Sequence, residues 1–144
     1  KGVARLDDRY EITIDDLKAE LARKKLMIRQ GDFVLVRTGK IQDWGNPAAF
    51  QAAEPGVGRD AAIWLYDAGM AVLATDTTGT EPLPFADEAA TTHRAMLVER
   101  GVHLLENLFL EDAARDGASE GLFVNLPLRI TGATGSWIRP ILVV

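Results

Sequence analysis

Gly31-Asp32-Phe33-Val34-Leu35-Val36-Arg37-Thr38-Gly39 is the stretch on which the fold turns. Gly31-Asp32 is turn chemistry, and the four apolar residues after it, rich in β-branched and aromatic types, form a short buried strand. Thr38-Gly39 ends it. Just upstream, Thr13-Ile14-Asp15-Asp16 marks a helix start. The Thr13 hydroxyl can take a free backbone N–H, and the two acids meet the positive end of the helix dipole. Leu17, Leu21 and Met27 or Ile28 then recur at helical spacing, so an amphipathic helix is predicted up to Gln30-Gly31.

The alternation continues downstream. Residues 41–58 read as a loop broken by Trp44-Gly45-Asn46-Pro47 and Pro55-Gly56. Residues 61–68 read as a helix stopped by Gly69, and residues 70–74 as a second buried strand leading into Asp76-Thr77-Thr78-Gly79. A proline-bearing loop through Pro82 and Pro84 precedes a third helix, predicted over Asp87 to Glu99 and closed by Gly101. Strands are expected at Val102–Leu105, Leu122–Asn125, Leu128–Ile130 and Ser136–Val144, with a short helical turn at Glu111–Arg115. Helices and strands alternate early and strands cluster late. The expected class is α/β, a mixed β-sheet with packed helices.

The bulk properties set limits. A chain of 144 residues suits one domain around one core, residues 1–144. Hydrophobic residues at 47% and charged residues at 26% argue against disorder. The net charge of -5, with sixteen scattered basic residues, argues against a nucleic-acid partner or an anionic membrane surface. The absence of cysteine excludes disulfides, thiolate nucleophiles and Cys-ligated metals. No apolar run has the length to cross a bilayer and no signal peptide opens the chain, so a soluble, cytoplasmic protein is expected. Lys1 is not an initiator methionine, and the first residues look like a chain entered in mid-fold, an incomplete copy of a larger domain.

Candidate chemistry gathers at His93 and Glu106. On the predicted third helix His93 shares a face with Ala89, Ala90, Met96 and Leu97, the face that should meet the sheet. Glu106 ends the strand Val102–Leu105 on the side of Val102 and Leu104, where a carboxylate needs a partner. The connection can bring Glu106 back beside His93. Imidazole plus carboxylate makes a half-site for zinc or manganese, or a base with its orienting partner. A core histidine with one hydrogen bond and a solvated strand-end carboxylate explain the same residues without chemistry. His103 falls on the opposite strand face. Asp76 closes a buried strand at a polar turn, with plain Asx-turn chemistry as the bland alternative. The Gly132-Ala133-Thr134-Gly135-Ser136 loop lies between strands and supports no phosphate fingerprint, and no G-x-S-x-G elbow occurs.

Taken in order, several landmarks resemble the cyclase family, which includes kynurenine formamidases and isatin-hydrolase-like enzymes. They are the Gly31–Gly39 stretch, Pro55-Gly56-Val57, Trp64-Leu65, Asp76-Thr77, His93-Arg94, Glu106-Asn107-Leu108, Pro127-Leu128, and the Gly132–Ser136 loop with Arg139. The chain is similar to the C-terminal part of that domain. The resemblance implies a swivelling β/β/α fold, a divalent zinc or manganese ion, a small-molecule substrate and hydrolysis of an amide-type bond, N-formyl or cyclic. It implies His93 as catalytic acid–base group or second-metal ligand, Glu106 as metal ligand, and Asp76 and Thr38 near the substrate pocket. The family's H-x-x-x-H-x-D ligand segment is not in this sequence, and Trp137 stands where a proline is common. A non-catalytic scaffold that binds a small molecule or a protein is the alternative. Sheet edges and apolar surface left uncovered predict self-association into a homo-oligomer.

Overall fold

Val72-Leu73-Ala74-Thr75 is buried along its whole length and anchors the architecture. The structure, a computed structural model, describes residues 1–85 and 87–144. The first strand pair joins β1 (Glu11–Ile12) in parallel to β3 (Gly56–Val57). Between them come α1 (Ile14–Lys24), β2 (Phe33–Val36), a 3-10 turn at Lys40–Gly45 and α2 (Pro47–Ala52). After α3 (Arg59–Asp67) the chain enters β4 (Val72–Thr75), and β5 (His103–Leu105) follows a 3-10 turn and a π-helical turn. Strands β2, β4 and β5 make one parallel sheet with β4 in the middle. Further on, α4 (Glu111–Arg115) is followed by β6 (Leu122–Val124) and β7 (Ile141–Val143), which pair antiparallel. The protein is therefore mixed α/β, with parallel and antiparallel strands and helices.

Two compact units emerge, residues 1–111 and 112–144. The first holds the core. Ile12, Val57, Ala61, Ala62, Leu65, Met70, Leu73, Ala95, Met96 and Val102 pack together. Three of these are alanines, which let α3 and the 94–98 turn approach closely. The second unit is the hairpin of β6 and β7 with the loop between them.

Local chemistry explains the first helix. Thr13 accepts from Asp16 N while Asp16 accepts from Thr13 N, a capping box. The helix ends at Lys24, before the predicted Gln30, because Lys25 turns left-handed (φ 58°) and Leu26 N–H caps back onto Leu21 O. The predicted loop at 41–58 carries the 3-10 turn, α2 and β3, with Asn46 accepting from Ala49 N and Pro47 in the first turn.

The third predicted helix is broken. A 3-10 turn at Glu88–Ala90 stops at Thr91, which is extended, and the chain re-enters a π turn over Arg94–Val98. The cause is hydroxyl and carboxylate competition for the backbone. The Thr92 hydroxyl donates to Val57 O at 2.8 Å, Thr91 Oγ1 accepts from Arg94 N, and Glu81 takes the His93 N–H at 3.0 Å. The inward face is therefore Thr92, Ala95 and Met96, while Ala89, Ala90 and Leu97 are exposed. Leu128–Ile130 does not form a strand, and of Ser136–Val144 only Ile141–Val143 does. Among the described residues no helix is long and apolar enough to cross a membrane.

Candidate functional site

Thr38, Asp76 and Glu106 all lie just beyond the carboxyl ends of the three parallel strands, β2, β4 and β5. That edge is where ligands collect in open α/β sheets. The four residues singled out in the sequence form two pairs there.

The first pair is Thr38 and Asp76. Both are fully buried. Asp76 accepts from Thr38 N, from the Thr38 hydroxyl and from Gly39 N, each at 2.8 Å. Every partner is a donor, so the carboxylate works as an acceptor on both oxygens and ties the end of β4 to the end of β2. Burial pushes its pKa up, against the pull of these hydrogen bonds.

The second pair is His93 and Glu106. Glu106 Oε1 stands 3.3 Å from His93 Nε2. On the other side of the ring, Glu81 Oε2 stands 2.8 Å from Nδ1 and also accepts the His93 backbone N–H. The histidine is held between two carboxylates with its side chain 37% exposed. Hydrogen bonding to Glu106, then to Glu81, raises its pKa to about 10 although burial opposes this, so the two carboxylates favour the protonated ring. His103, the other histidine, is exposed.

The scaffold of this pair is the turn Thr78–Glu81. Glu54, buried, accepts from Thr78 N at 2.8 Å and from Gly79 N. Burial pushes Glu54 up in pKa, and nearby Glu106 adds to the shift, against those two N–H donors. Thr80 donates its hydroxyl to Glu106 Oε1 at 3.1 Å. Its φ of 61° is unusual for a β-branched residue and stores on the order of 1–3 kcal/mol. The loop after β5 is pinned to the same segment by Asn107 N to Thr77 O and Leu108 N to Thr75 O, each 3.0 Å. Beside His93 opens a cavity of about 350 Å³ lined by Gly79, Glu81, Leu83, Phe85, Glu88 and Thr91.

Sequence reading did not single out Glu81, Thr80 or Glu54. Glu81 stands twelve residues before His93 in a loop whose path is set by tertiary contacts. The one local signal is an acid between Gly79-Thr80 and Pro82 in a stretch otherwise poor in charge.

The donor chemistry at His93 and Glu106 suits a divalent ion at two positions. Two ligands of a tetrahedral zinc, each roughly 2.0–2.1 Å from it, stand about 3.3 Å apart. The Nδ1–Glu81 contact is the carboxylate–histidine pairing that orients a ligating imidazole. Among the described residues no group of three or more His, Cys, Asp and Glu is arranged to hold a metal.

Known proteins share this arrangement of strands. The chain is similar to a novel cyclase of known crystal structure, with 32% identity and a TM-score of 0.83 over 96% of this chain and 49% of that one. It is similar to an isatin hydrolase bound to the product analogue thioisatinate, with 26% identity and a TM-score of 0.77 over 92% of this chain and 53% of that one. A potential metal-dependent hydrolase with cyclase activity shares 29% identity and a TM-score of 0.68 over 95% of this chain and 59% of that one. The chain thus spans about half the length of the first two structures. No curated protein matches it. The Cyclase family model matches residues 2–82, more than half of the sequence, a stretch that contains Thr38, Asp76 and Glu81 and stops before His93 and Glu106. With that match, and with a fold that covers nearly all of the chain, the chain belongs to the Cyclase family.

Proposed function

We propose that this chain is part of a metal-dependent hydrolase that cleaves an amide-type bond, N-formyl or cyclic, in a small molecule. The observation that carries the reading is His93 Nε2 and Glu106 Oε1 at 3.3 Å, beside a cavity of about 350 Å³, at the carboxyl edge of the sheet. The isatin hydrolase and the potential metal-dependent hydrolase among the similar structures support it.

His93 Nε2 and one oxygen of Glu106 would hold a zinc or manganese ion, completed by donors from outside the described residues. The chemistry such an ion supplies is a water of lowered pKa and a polarised carbonyl. This chain's own residues do the rest. Glu81 accepts from Nδ1 and from the backbone N–H of His93, which fixes both the ring's rotamer and the nitrogen it presents. Thr80 holds Glu106 through its hydroxyl. Where Nε2 carries a proton in place of the ion, that proton faces Glu106 Oε1 and is the acid that a departing amide nitrogen would take. Leu83 and Phe85 give the cavity an apolar wall against which a ring packs, and Thr38 and Asp76 brace the strand ends from below.

The missing third ligand among the described residues favours one other reading, a scaffold that binds a small molecule without turning it over. Hydrolysis assays on formamides and cyclic amides, with zinc or manganese added to the longest expressible form of the protein, separate the two. Turnover that His93→Ala and Glu106→Ala each abolish is expected. Unchanged turnover in both variants would sink the site, and no turnover with retained ligand binding would leave the scaffold.

A further inference from the structure

Glu54 lies between α2 and β3, buried, 24 residues ahead of the turn that supports the candidate site. A buried carboxylate is costly unless its oxygens are paired. Here Oε2 accepts from Thr78 N at 2.8 Å and Oε1 accepts from Gly79 N. Both donors are main-chain amides, so the charge serves to fix a backbone path. The main chain of the same residue holds the other end of that path. Glu54 N donates to Leu83 O at 3.1 Å, and Leu83 N donates to Glu54 O at 3.0 Å. One residue therefore closes the turn 78–83 at its entry with a side chain and at its exit with backbone.

The residues after Glu54 seat the middle of the turn. Val57 N donates to Thr80 O at 2.7 Å. Close approach is possible because two glycines line the contact. A Cβ on Gly56 would run into the Thr80 carbonyl oxygen and the Glu81 backbone, and one on Gly79 would stand 2.8 Å from Glu54 Oε1. The turn so held carries both supports of the site. Thr80 donates to Glu106 Oε1 at 3.1 Å, while Glu81 Oε2 accepts from the His93 ring at 2.8 Å and from its backbone at 3.0 Å. Glu106 and His93 have separate supports, but the two supporting residues are neighbours.

We propose that Glu54 is a positioning residue for the candidate site: by gripping both ends of the turn 78–83 it sets where Thr80 and Glu81 stand, and through them the His93–Glu106 separation. The proposal rests on the hydrolase reading for the use of that separation, not for how it is set. A glutamine at this position has one acceptor oxygen, so it keeps one of the Thr78 and Gly79 amides and must release the other.

Amide hydrogen exchange read by NMR on the 144-residue chain tests the proposal without any ligand. Leu73, fully buried in the central strand, reports opening of the whole fold, and the His93 amide reports its bond to Glu81. Glu54→Gln keeps the side chain's size and should raise the His93 rate relative to the Leu73 rate by about tenfold, which is what the loss of one hydrogen bond allows. The ring resonances of His93 should move with it, while those of exposed His103 stay. Gly56→Ala pushes the same turn from the other side with every hydrogen-bonding group kept, and should give the same signature. Leu17→Ala, on the half-buried face of α1, loosens the fold away from the turn and should leave the ratio as it was. An unchanged ratio in either turn variant, or an equal rise in Leu17→Ala, would overturn the proposal and make Glu54 a packing residue. Amide hydrolysis is read separately. A displaced His93 in a protein that hydrolyses no amide would uphold the positioning role and refute the hydrolase reading. Undiminished hydrolysis in Glu54→Gln with an unchanged ratio would overturn the positioning role and leave the hydrolase reading standing.

Discussion

Replacing Asp76 by asparagine should cost this protein a measurable part of its stability without changing a side chain's size. Asp76 receives three donors, Thr38 N–H, Thr38 O–H and Gly39 N–H, the last on Oδ2 and the first two on Oδ1. Asparagine offers one acceptor oxygen. If it keeps the Thr38 pair, its NH2 group faces the Gly39 N–H, and that donor is orphaned in a site with no access to water. An unsatisfied buried group costs about 1–3 kcal/mol, and a lost charge-assisted hydrogen bond lies in the same range. Against this stands relief of the desolvation that pushes the carboxyl's pKa up. The net expectation is a loss of about 2–3 kcal/mol, which for a chain of this length lowers Tm by roughly 6–12 °C. Thr38→Val removes the hydroxyl that donates to Asp76 and accepts from the Lys40 N–H, and its loss should be about 1–3 kcal/mol, with the double variant less than additive because both changes strike one cluster. Thermal unfolding by circular dichroism, with urea midpoints as a check, reads all three. An Asp76→Asn protein within about 0.5 kcal/mol of the starting chain would refute the argument, because it would mean that the Gly39 donor has another partner.

Three further outcomes follow from the same coordinates. Arg37 binds Glu111 through Nε and Nη2 at 2.7 and 2.8 Å and holds its carboxyl below the ordinary 4.5. A depressed folded pKa stabilises above the unfolded value and the benefit disappears as pH falls through the folded one, so acid unfolding between those two values should be flatter in Arg37→Met than in the starting chain. Met96 is fully buried in the core beside Ala95 and Leu73, and Met96→Ala should cost about 2–5 kcal/mol in urea unfolding; a loss under about 1 kcal/mol would mean that the 94–98 turn collapses onto the gap. Thr80→Gly relieves a positive φ but removes the hydroxyl on Glu106, so stability should stay within about 1 kcal/mol while the ring resonances of His93 shift and those of exposed His103 do not; unmoved His93 signals would exclude Thr80 from the site.

What the sequence made legible were the features written locally. The Thr13 cap, the strand at Phe33–Val36, the helix stopped by Gly69 and the turn at Glu111–Arg115 each rest on neighbouring residues, and the structure has them, although that strand is not buried: Phe33 is exposed and Val34–Val36 are half-buried. The third helix failed because its interruption comes from elsewhere: the Thr92 hydroxyl is drawn to Val57 O and the His93 N–H to Glu81, contacts that span 35 and 12 residues. Strand alternation did place Glu106 on the side that turns toward His93, since that argument needs only the parity of positions along β5. It could not find Glu81, whose role depends on how a proline-bearing loop returns. The late strands were overdrawn because Leu128–Ile130 and Ser136–Ile138 are apolar enough for a sheet but have no strand beside them.

The break in that helix is also what makes the candidate site. In a regular helix over 87–99 the His93 N–H would be spent on the carbonyl four residues earlier, and Glu81 would keep only the ring contact. With Thr91 extended, the amide is free, and one carboxylate oxygen takes both the backbone N–H and Nδ1 of the same residue. That double attachment fixes the imidazole on a side of the sheet where Glu106, carried by β5 and held by Thr80, arrives independently. Two elements with separate supports therefore meet at a single 3.3 Å contact. Regular secondary structure would have satisfied the backbone and left the ring free to turn; the irregular turn orients it before any ligand arrives.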